Sequence, residues 1–347
     1  MNQRQTLAGG LALAGAAIAA TTAISRGITH RAAARFYRHT GPRTLAVHWG
    51  ACYAGNPTVF NRSEANQTLH TASLDAVRAA LPTSDLYPVR TAGDRAVIAI
   101  TSLRYDQITS HGVHGQALMP YGEVMVAALV TRRPAPPMLP LLAGGLAGRS
   151  IGAFVLHLPV THRAARDGGR MVWGFQKFIA DMDFEDSGET MRCTLSEGGH
   201  DILRHTHQPS GRSSIASFTT VLYSSLEGEL LAADIPMTGL ARGRWGARAG
   251  RLELGDHQLT EELHELAINP EPFLGRRLSE LRLAMNFGHA VGEARQYLGY
   301  IGEDRDFGRY TVRYGTEAAI DMYAPYGPMA KPTVAVEIGA AATTPPG

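Results

Sequence analysis

The stretch Gly169-Arg-Met-Val-Trp-Gly-Phe-Gln-Lys177 contains one of only two lysines among the 33 basic residues of this 347-residue chain. Arginine can replace lysine as a surface charge, but a guanidinium does not deprotonate in proteins, so only lysine can supply a neutral amine. The other lysine precedes a proline near the C-terminus, and we interpret it as an exposed residue. Lys177 stands among Trp173, Phe175 and Phe178. Burial against these rings penalises the ammonium form, so we expect a neutral, reactive amine at this position.

The composition is that of a globular protein. Apolar residues make up 44% of the sequence and charged residues 18%, unlike collagen-like or wholly disordered chains. The formal net charge of +2 lacks the basic excess typical of nucleic-acid-binding proteins, so we expect no nucleic-acid partner. The two cysteines are too few for a disulfide framework or a cysteine-type zinc site. We expect neither a metal ion nor a cofactor.

The N-terminal region, residues 1–40, combines an apolar segment with a basic flank. Residues 7–24 are almost free of polar groups, and a run of this length is at the lower limit for spanning a bilayer. Several arginines follow this segment, which favours an uncleaved anchor that keeps the main domain on the cytoplasmic side of a membrane. Two alternatives stay open: a signal peptide over residues 1–23 of an exported protein, and an Ala-rich arm of a soluble cytoplasmic protein.

Residues 41–335 predict one β-rich α+β domain, followed by a disordered tail at 336–347. Two alternating runs over 182–195, joined by a turn at 186–188, predict a hairpin. Apolar and β-branched runs predict further strands over 96–103, 124–130, 151–158, 202–207, 217–223, 250–254 and 310–314.

Two short helices are expected in this domain. Thr71–Pro82 predicts the first, since Thr71 or Ser73 can cap it and Pro82 ends it. Leu274–Leu283 predicts the second. Residues 45–60 contain glycine and proline and predict an irregular segment.

Three histidines, His200, His205 and His207, cluster on one predicted strand. His205 and His207 would share a face of that strand, but the spacing suggests no further ligand. We interpret them as polar residues of an exposed strand rather than as a metal site.

Two further segments accompany the lysine stretch: Pro120-Tyr-Gly-Glu123 upstream and Leu254-Gly-Asp-His257 downstream. In order and spacing, the three segments resemble motifs of the acetoacetate decarboxylase superfamily over about residues 65–285. The lysine stretch is similar to that family's Gly-Arg-Glu…Gly-Tyr/Phe-Pro-Lys segment, whose lysine forms a Schiff base. The upstream segment is similar to Pro-Tyr-x-Glu, whose glutamate lines the active site, and the downstream segment to Leu-Gly-Asp-His.

The resemblance implies a cone-shaped antiparallel β-barrel with helices at its rim, usually assembled into homo-oligomers. It also implies that Lys177 forms a Schiff base with a small, acetoacetate-like β-keto acid, which is then decarboxylated. Glu123 would be the acid–base group, oriented by Tyr121, and Arg62 would hold the substrate carboxylate. Arg170 would anchor the loop before the lysine. The expected aromatic lining of the site comprises Trp173, Phe175 and Phe178.

Two residues depart from the family's pattern. Phe178 stands where the acetoacetate enzymes carry a second lysine, and Gln176 replaces a proline. Adjacent side chains of an extended segment point to opposite faces, so Phe178 need not abolish reactivity. Two alternatives therefore stay open: other lysine-dependent chemistry on keto acids, such as aldol cleavage or dehydration, and a membrane-tethered ligand-binding protein without turnover.

Overall fold

The computed structural model describes residues 47–49, 52–54, 59–110, 117–118, 120–137, 151–188, 190–285 and 288–303. The strands are β1 (Val47–Trp49), β2 (Cys52–Ala54), β3 (Val59–Ala72), β4 (Tyr87–Pro88), β5 (Ala96–Ser110), β6 (Ala117–Leu118), β7 (Tyr121–Thr131), β8 (Gly152–His157), β9 (Asp181–Asp186), β10 (Met191–Glu197), β11 (His200–His207), β12 (Ser214–Leu226), β13 (Glu229–Trp245), β14 (Gly250–Leu254), β15 (Leu274–Met285) and β16 (His289–Glu293). The helices are α1 (Leu74–Ala80), α2 (Arg163–Trp173) and α3 (Gln258–Glu265), with a 3-10 turn at Ala247–Ala249.

Three predicted features lie outside the described residues: the apolar segment at 7–24, the strand at 310–314 and the tail at 336–347. Among the helices of the described part, none is long and apolar enough to cross a membrane.

Seven strands close into a barrel. Their order around the ring is β7-β8-β12-β13-β15-β3-β5, and β5 pairs with β7 to close it. This confirms the predicted barrel, with one correction: β8 and β12 run parallel, whereas the other neighbours in the ring run antiparallel. A closed ring with an odd number of strands cannot alternate direction throughout, so one parallel pair is required.

A second sheet, in the order β14-β11-β10-β9, packs against the outside of the barrel. Ile98 and Val124, on the outer face of the barrel wall, are fully buried in the core between the two sheets. Leu195 and Leu203 contribute to this core from the second sheet, and helices α1 and α3 complete it. The tight packing of this face positions the barrel strands without filling the barrel itself.

The inner face of the wall encloses a lumen that side chains only partly fill. Leu103 and Leu281 are buried there, since alternate residues of a strand face inward. By contrast, Met125, Phe218 and Leu222 retain accessible surface although they belong to these interior clusters. Free space therefore borders them inside the barrel.

The predicted helix at Thr71–Pro82 and the predicted hairpin at 182–195 are confirmed. Helix α1 begins after Ser73, whose hydroxyl accepts a 3.3 Å hydrogen bond from the backbone N–H of Ala76. Strands β9 and β10 form the hairpin, and Gly188 takes the positive φ of 82° that its turn requires.

The helix predicted at Leu274–Leu283 is wrong, because these residues form strand β15. The register with β3 shifts between Leu278 and Leu281, where Glu280 adopts a φ of 49°. This bulge inserts extra residues into the alternation. Apolar residues then recur at spacings of four and three, which imitate a helical period.

The interpretation of the histidines as exposed is also wrong for two of them. His205 and His207 are buried on β11 between the second sheet and the barrel, while His200 is exposed. His205 approaches Thr68 and Ser102, on the outer face of the barrel, at 2.8 and 2.7 Å.

Candidate active site

A buried ion pair joins two of the motifs inside the barrel. The Nζ of Lys177 donates a 2.8 Å hydrogen bond to the Oε2 of Glu123, and both side chains are less than a tenth exposed. The two residues lie 54 positions apart in the sequence and come from different elements. The structure thus brings together the amine and the carboxylate that the sequence singled out.

The Lys177 segment is held by the C-terminus of helix α2. Gly174 ends this helix in the left-handed conformation, with φ of 66°, and the next residue donates a hydrogen bond back to the carbonyl of Gly169. Residues 176–178 lie alongside the segment that follows β8. The N–H groups of Leu158 and Val160 in that segment donate hydrogen bonds to the carbonyl oxygens of Gln176 and Phe178. These contacts fix the backbone from which the lysine projects.

Gly169 makes room for the lysine stem. A Cβ atom added at this position would lie 2.5 Å from the Cε of Lys177, too close for two carbon atoms. Arg170, the next residue, donates hydrogen bonds to the carbonyl oxygens of Lys177 and Ile301 at 2.5 and 2.6 Å. The predicted anchoring role of Arg170 is therefore confirmed: it ties the lysine backbone to the C-terminal segment.

Glu123 lies on β7, and its other oxygen is held by a residue that the sequence analysis missed. The hydroxyl of Tyr105, on the neighbouring strand β5, donates a 3.1 Å hydrogen bond to the Oε1 of Glu123. Burial, reinforced by the charge of Glu123, raises the pKa of Tyr105 well above its usual value. The phenol therefore stays protonated and remains a donor. The predicted strand ends at residue 103, whereas β5 continues to Ser110, so no local pattern placed Tyr105 in the site.

Tyr121 lies beside this pair without bonding to the glutamate. Its ring centre is 4.6 Å from that of Tyr105, and burial raises the pKa of its phenol well above the usual value. The structure assigns to Tyr105 the hydrogen bond to Glu123 that we had expected from Tyr121.

Of the remaining predicted site residues, some lie on the same side as the amine and others do not. Trp173 and Phe175 pack in the interior clusters of the barrel, on the side to which the lysine projects. Phe178 instead packs in the core outside the barrel, with its ring centre 5.1 Å from that of Tyr300. The structure therefore does not bring Phe178 to the amine. Arg62 lies on β3 opposite Arg282, and its side chain is outside the described part.

A cavity of about 460 Å³ lies beside the site, between strands β5 and β7 of the barrel and the second sheet. Tyr105 and Tyr121 line one side of this cavity. Asp181 and Asp183, which belong to β9 of the second sheet, line the opposite side. Since the hydroxyl of Tyr105 bonds to Glu123, the tyrosine pair stands between this cavity and the ion pair.

The sequence profile described as acetoacetate decarboxylase (ADC) matches residues 47–289, well over half of the chain. The chain belongs to the acetoacetate decarboxylase family. No curated protein matches it.

Solved structures of this family resemble the chain. The acetoacetate decarboxylase of Legionella pneumophila subsp. pneumophila str. Philadelphia 1 is 18% identical, with a TM-score of 0.48 over 69% of this chain and 88% of that one. An acetoacetate decarboxylase-like enzyme from Sphingomonas wittichii RW1 is 12% identical, with a TM-score of 0.46 over 70% and 93%. The enduracididine biosynthesis enzyme MppR, complexed with pyruvate, is 15% identical, with a TM-score of 0.48 over 69% and 91%.

The third family-like motif, Leu254-Gly-Asp-His257, has a structural place in this chain. Gly255 packs against the backbone of Asp201, where a side chain would clash. The Nδ1 of His257 accepts a 3.1 Å hydrogen bond from the backbone N–H of Leu259 and so caps helix α3. Its Nε2 lies 3.3 Å from Glu197, outside the barrel. This motif therefore builds the support of the second sheet and does not reach the amine.

Within the described part of the chain, no group of three or more His, Cys, Asp or Glu side chains is arranged to hold a metal ion.

Proposed function

We propose that this chain decarboxylates a small β-keto acid through a Schiff base on Lys177, with Glu123 as the acid–base group. The observation that supports the proposal is the 2.8 Å contact between the buried amine and the buried carboxylate on the inner face of the barrel. This places a nucleophile within hydrogen-bond reach of a base, as covalent catalysis requires.

The first step is the generation of a neutral amine. A proton moves from the Nζ of Lys177 to the Oε2 of Glu123 along their hydrogen bond. The lone pair of the amine then attacks the keto carbon of the substrate, and loss of water gives an iminium ion. Tyr105 holds the Oε1 of Glu123 throughout, which leaves Oε2 directed at the amine.

The second step is the loss of carbon dioxide. The electron pair of the bond to the carboxylate flows into the iminium, which becomes a neutral enamine. The carboxylate charge disappears in this step, so a weakly polar surrounding favours it. Trp173 and Phe175 supply such a surrounding at this end of the barrel.

The final steps restore the enzyme. Glu123 gave up its proton when water was lost, so it takes one proton from solvent and donates it to the enamine carbon. Water then hydrolyses the resulting iminium to release the ketone and Lys177. The net reaction consumes one proton and converts a β-keto acid into a ketone and carbon dioxide.

Reductive trapping tests this proposal. The protein is incubated with acetoacetate, reduced with borohydride and digested for mass spectrometry. The reduced adduct is expected on Lys177 and not on the chain's only other lysine, Lys331. The adduct shows Schiff-base formation, and decarboxylation is shown by release of carbon dioxide faster than the spontaneous rate measured without protein.

The same experiment separates the alternatives. A panel of keto acids that includes pyruvate covers other lysine-dependent chemistry. If no member of the panel leaves an adduct on Lys177, the proposal fails, and a ligand-binding role without turnover takes its place. The Lys177→Met variant provides the background of nonspecific labelling.

A further inference from the structure

A second basic side chain faces the lumen of the barrel. Arg276 lies on β15, two residues before Leu278, and therefore shares the inward face of that strand. Its Nε donates a 2.8 Å hydrogen bond to the Oε1 of Gln67, another inward-facing residue. Its guanidinium carbon lies 5.2 Å from the centre of the Phe218 ring. Arg276 and Phe218 both retain accessible surface, so free space borders this guanidinium.

Arg276 is not paired with an acid among the residues that the structure describes. Within the described part of the chain, neither a hydrogen bond nor an ion pair joins Arg276 to a carboxylate. Its neighbour Arg277, on the outer face, bonds to Glu64 and Asp186 at 3.1 and 3.0 Å. Desolvation lowers the pKa of Arg276 from its usual value, although a guanidinium remains charged. A desolvated cation without an anion is unfavourable, which makes the lumen attractive to a carboxylate from outside.

The strand register places Arg276 near the ion pair. Arg276 is opposite Gln67, Gln67 is opposite Thr101, and Thr101 is opposite Met125. Met125 is the next residue of β7 after Glu123 on the same face. The arginine thus lies one inward-facing row away from the glutamate and three strands around the wall. Strands are spaced by about 4.8 Å, so this arc is roughly 14 Å, and the long side chains shorten the gap further.

We propose that Arg276 binds a second carboxylate of the substrate, remote from the keto group that Lys177 attacks. This inference builds on the proposed function and names its substrate class: 3-oxo dicarboxylates. The departing carboxylate is a poor partner for Arg276, because an ion pair with it would stabilise the ground state and be lost as carbon dioxide forms. A remote carboxylate keeps its charge throughout the reaction, so Arg276 can hold it at every step.

The products of such substrates provide a test that does not depend on turnover. Decarboxylation of a 3-oxo dicarboxylate leaves a methyl ketone with one remote carboxylate, as in levulinate, 5-oxohexanoate and 6-oxoheptanoate. Binding of these three acids and of their methyl esters is measured by calorimetry. We expect at least one acid to bind about 10- to 100-fold more tightly than its ester, the range for a charge-assisted hydrogen bond.

Three variants assign the effect. Arg276→Gln, which can still bond to Gln67, is expected to bind acid and ester equally, while Arg276→Lys keeps part of the preference through its charge. Arg282→Gln is the matched control, since Arg282 is exposed on the same strand, and it should retain the full preference. Thermal unfolding shows whether each variant is folded.

The outcomes distinguish this inference from the proposed function. If the wild-type protein binds no acid more tightly than its ester, or if folded Arg276→Gln keeps the preference, the inference is overturned. If the preference depends on Arg276 but borohydride leaves no adduct on Lys177, the carboxylate site stands and the proposed chemistry fails.

Discussion

The two faces of the barrel wall bury polar groups in opposite ways. On the inner face, Lys177 and Glu123 are buried as an ion pair beside free space. On the outer face, His70 and His205 are buried in close packing between barrel and second sheet, and no charged side chain of the described part pairs with them. The inner arrangement allows a proton to move and a ligand to enter. The outer arrangement is held by hydrogen bonds in fixed directions and stabilises the fold.

The outer histidines form a directed chain of hydrogen bonds. The Nδ1 of His70 donates to the carbonyl of Asn269 at 2.8 Å, so its Nε2 must accept from the hydroxyl of Thr68. The oxygen of Thr68 then accepts from the Nε2 of His205, whose Nδ1 accepts from Ser102. One neutral tautomer of each ring satisfies this chain. A second proton on either ring would require the facing hydroxyl to turn and accept, and would place a positive charge in this buried region.

The largest expected effect follows from removing the amine. Lys177→Met should abolish both the borohydride adduct at this position and catalysed carbon dioxide release, because Lys177 is the only lysine among the described residues. It should also lower the free energy of unfolding by about 3–5 kcal/mol, since the carboxylate of Glu123 stays buried without its cation. Urea unfolding measures this loss.

The double variant Lys177→Met with Glu123→Gln is the control. It removes both charges and is expected to regain stability without regaining activity. If the single variant is as stable as the wild type, the ion pair is not buried as the structure shows.

The next effect concerns the base. Glu123→Gln keeps an oxygen for the hydrogen bond from Tyr105 but cannot carry the proton of Lys177. We expect the rate of decarboxylation to fall about 10²- to 10⁴-fold, the usual contribution of general acid–base catalysis. Tyr105→Phe, which leaves the carboxylate in place, should lose less. Equal losses in the two variants would mean that Glu123 only positions the site. Steady-state release of carbon dioxide provides the measurement.

The outer face predicts a dependence of stability on pH. Burial lowers the pKa of His70 from 6.5 to about 4, which means that the folded state prefers the neutral ring. The stabilisation is complete above pH 6.5 and is lost as the pH falls towards 4, at about 1.4 kcal/mol per unit. Over this window, His70 alone contributes roughly 3 kcal/mol. Urea unfolding at several pH values between 7 and 4 should show this decline.

Two variants isolate the contribution of His70. His70→Gln cannot take up the proton, so its stability should depend less steeply on pH between 6.5 and 4. His200→Gln, at an exposed position of β11, should retain the wild-type slope. An unchanged slope in His70→Gln would contradict the assignment of a neutral buried ring.

The sequence predicted the inner face better than the outer one. Lys177 and Glu123 were found because a scarce residue type and two short motifs mark them, independently of the elements on which they lie. The motif around His257 was found as well, but its structural role follows from contacts with Glu197 that no local pattern contains.

Helices and strands were predicted correctly where the local sequence pattern agrees with the tertiary structure. Helix α1 has a capping serine and a consistent apolar face, so its prediction succeeded. Strand β15 failed because its bulge changes the apolar spacing, and helix α2 was missed because two consecutive glycines oppose a helix locally. Burial of His205 was missed for a related reason: its partners Thr68 and Ser102 are distant in the sequence.

The smallest expected effect, that of Gly169→Ala, tests most specifically how the packing of the inner face differs from that of the outer face. Gly169→Ala should favour helix α2, since alanine is better in a helix than glycine by about 1 kcal/mol. The new methyl group would meet the flexible stem of Lys177, which can move aside without unfolding the protein. We therefore expect a protein of unchanged or higher melting temperature whose rate of decarboxylation is about tenfold lower, because the displaced stem keeps the contact with Glu123 but moves the amine away from the best position for attack on the substrate. Thermal unfolding and carbon dioxide release on the same sample measure both quantities. If activity and stability fell together, the lysine would be held by packing as rigid as that of the outer face. A loss of activity alone would show that the lysine stem is loosely packed on the inner face, so that it can move without loss of stability.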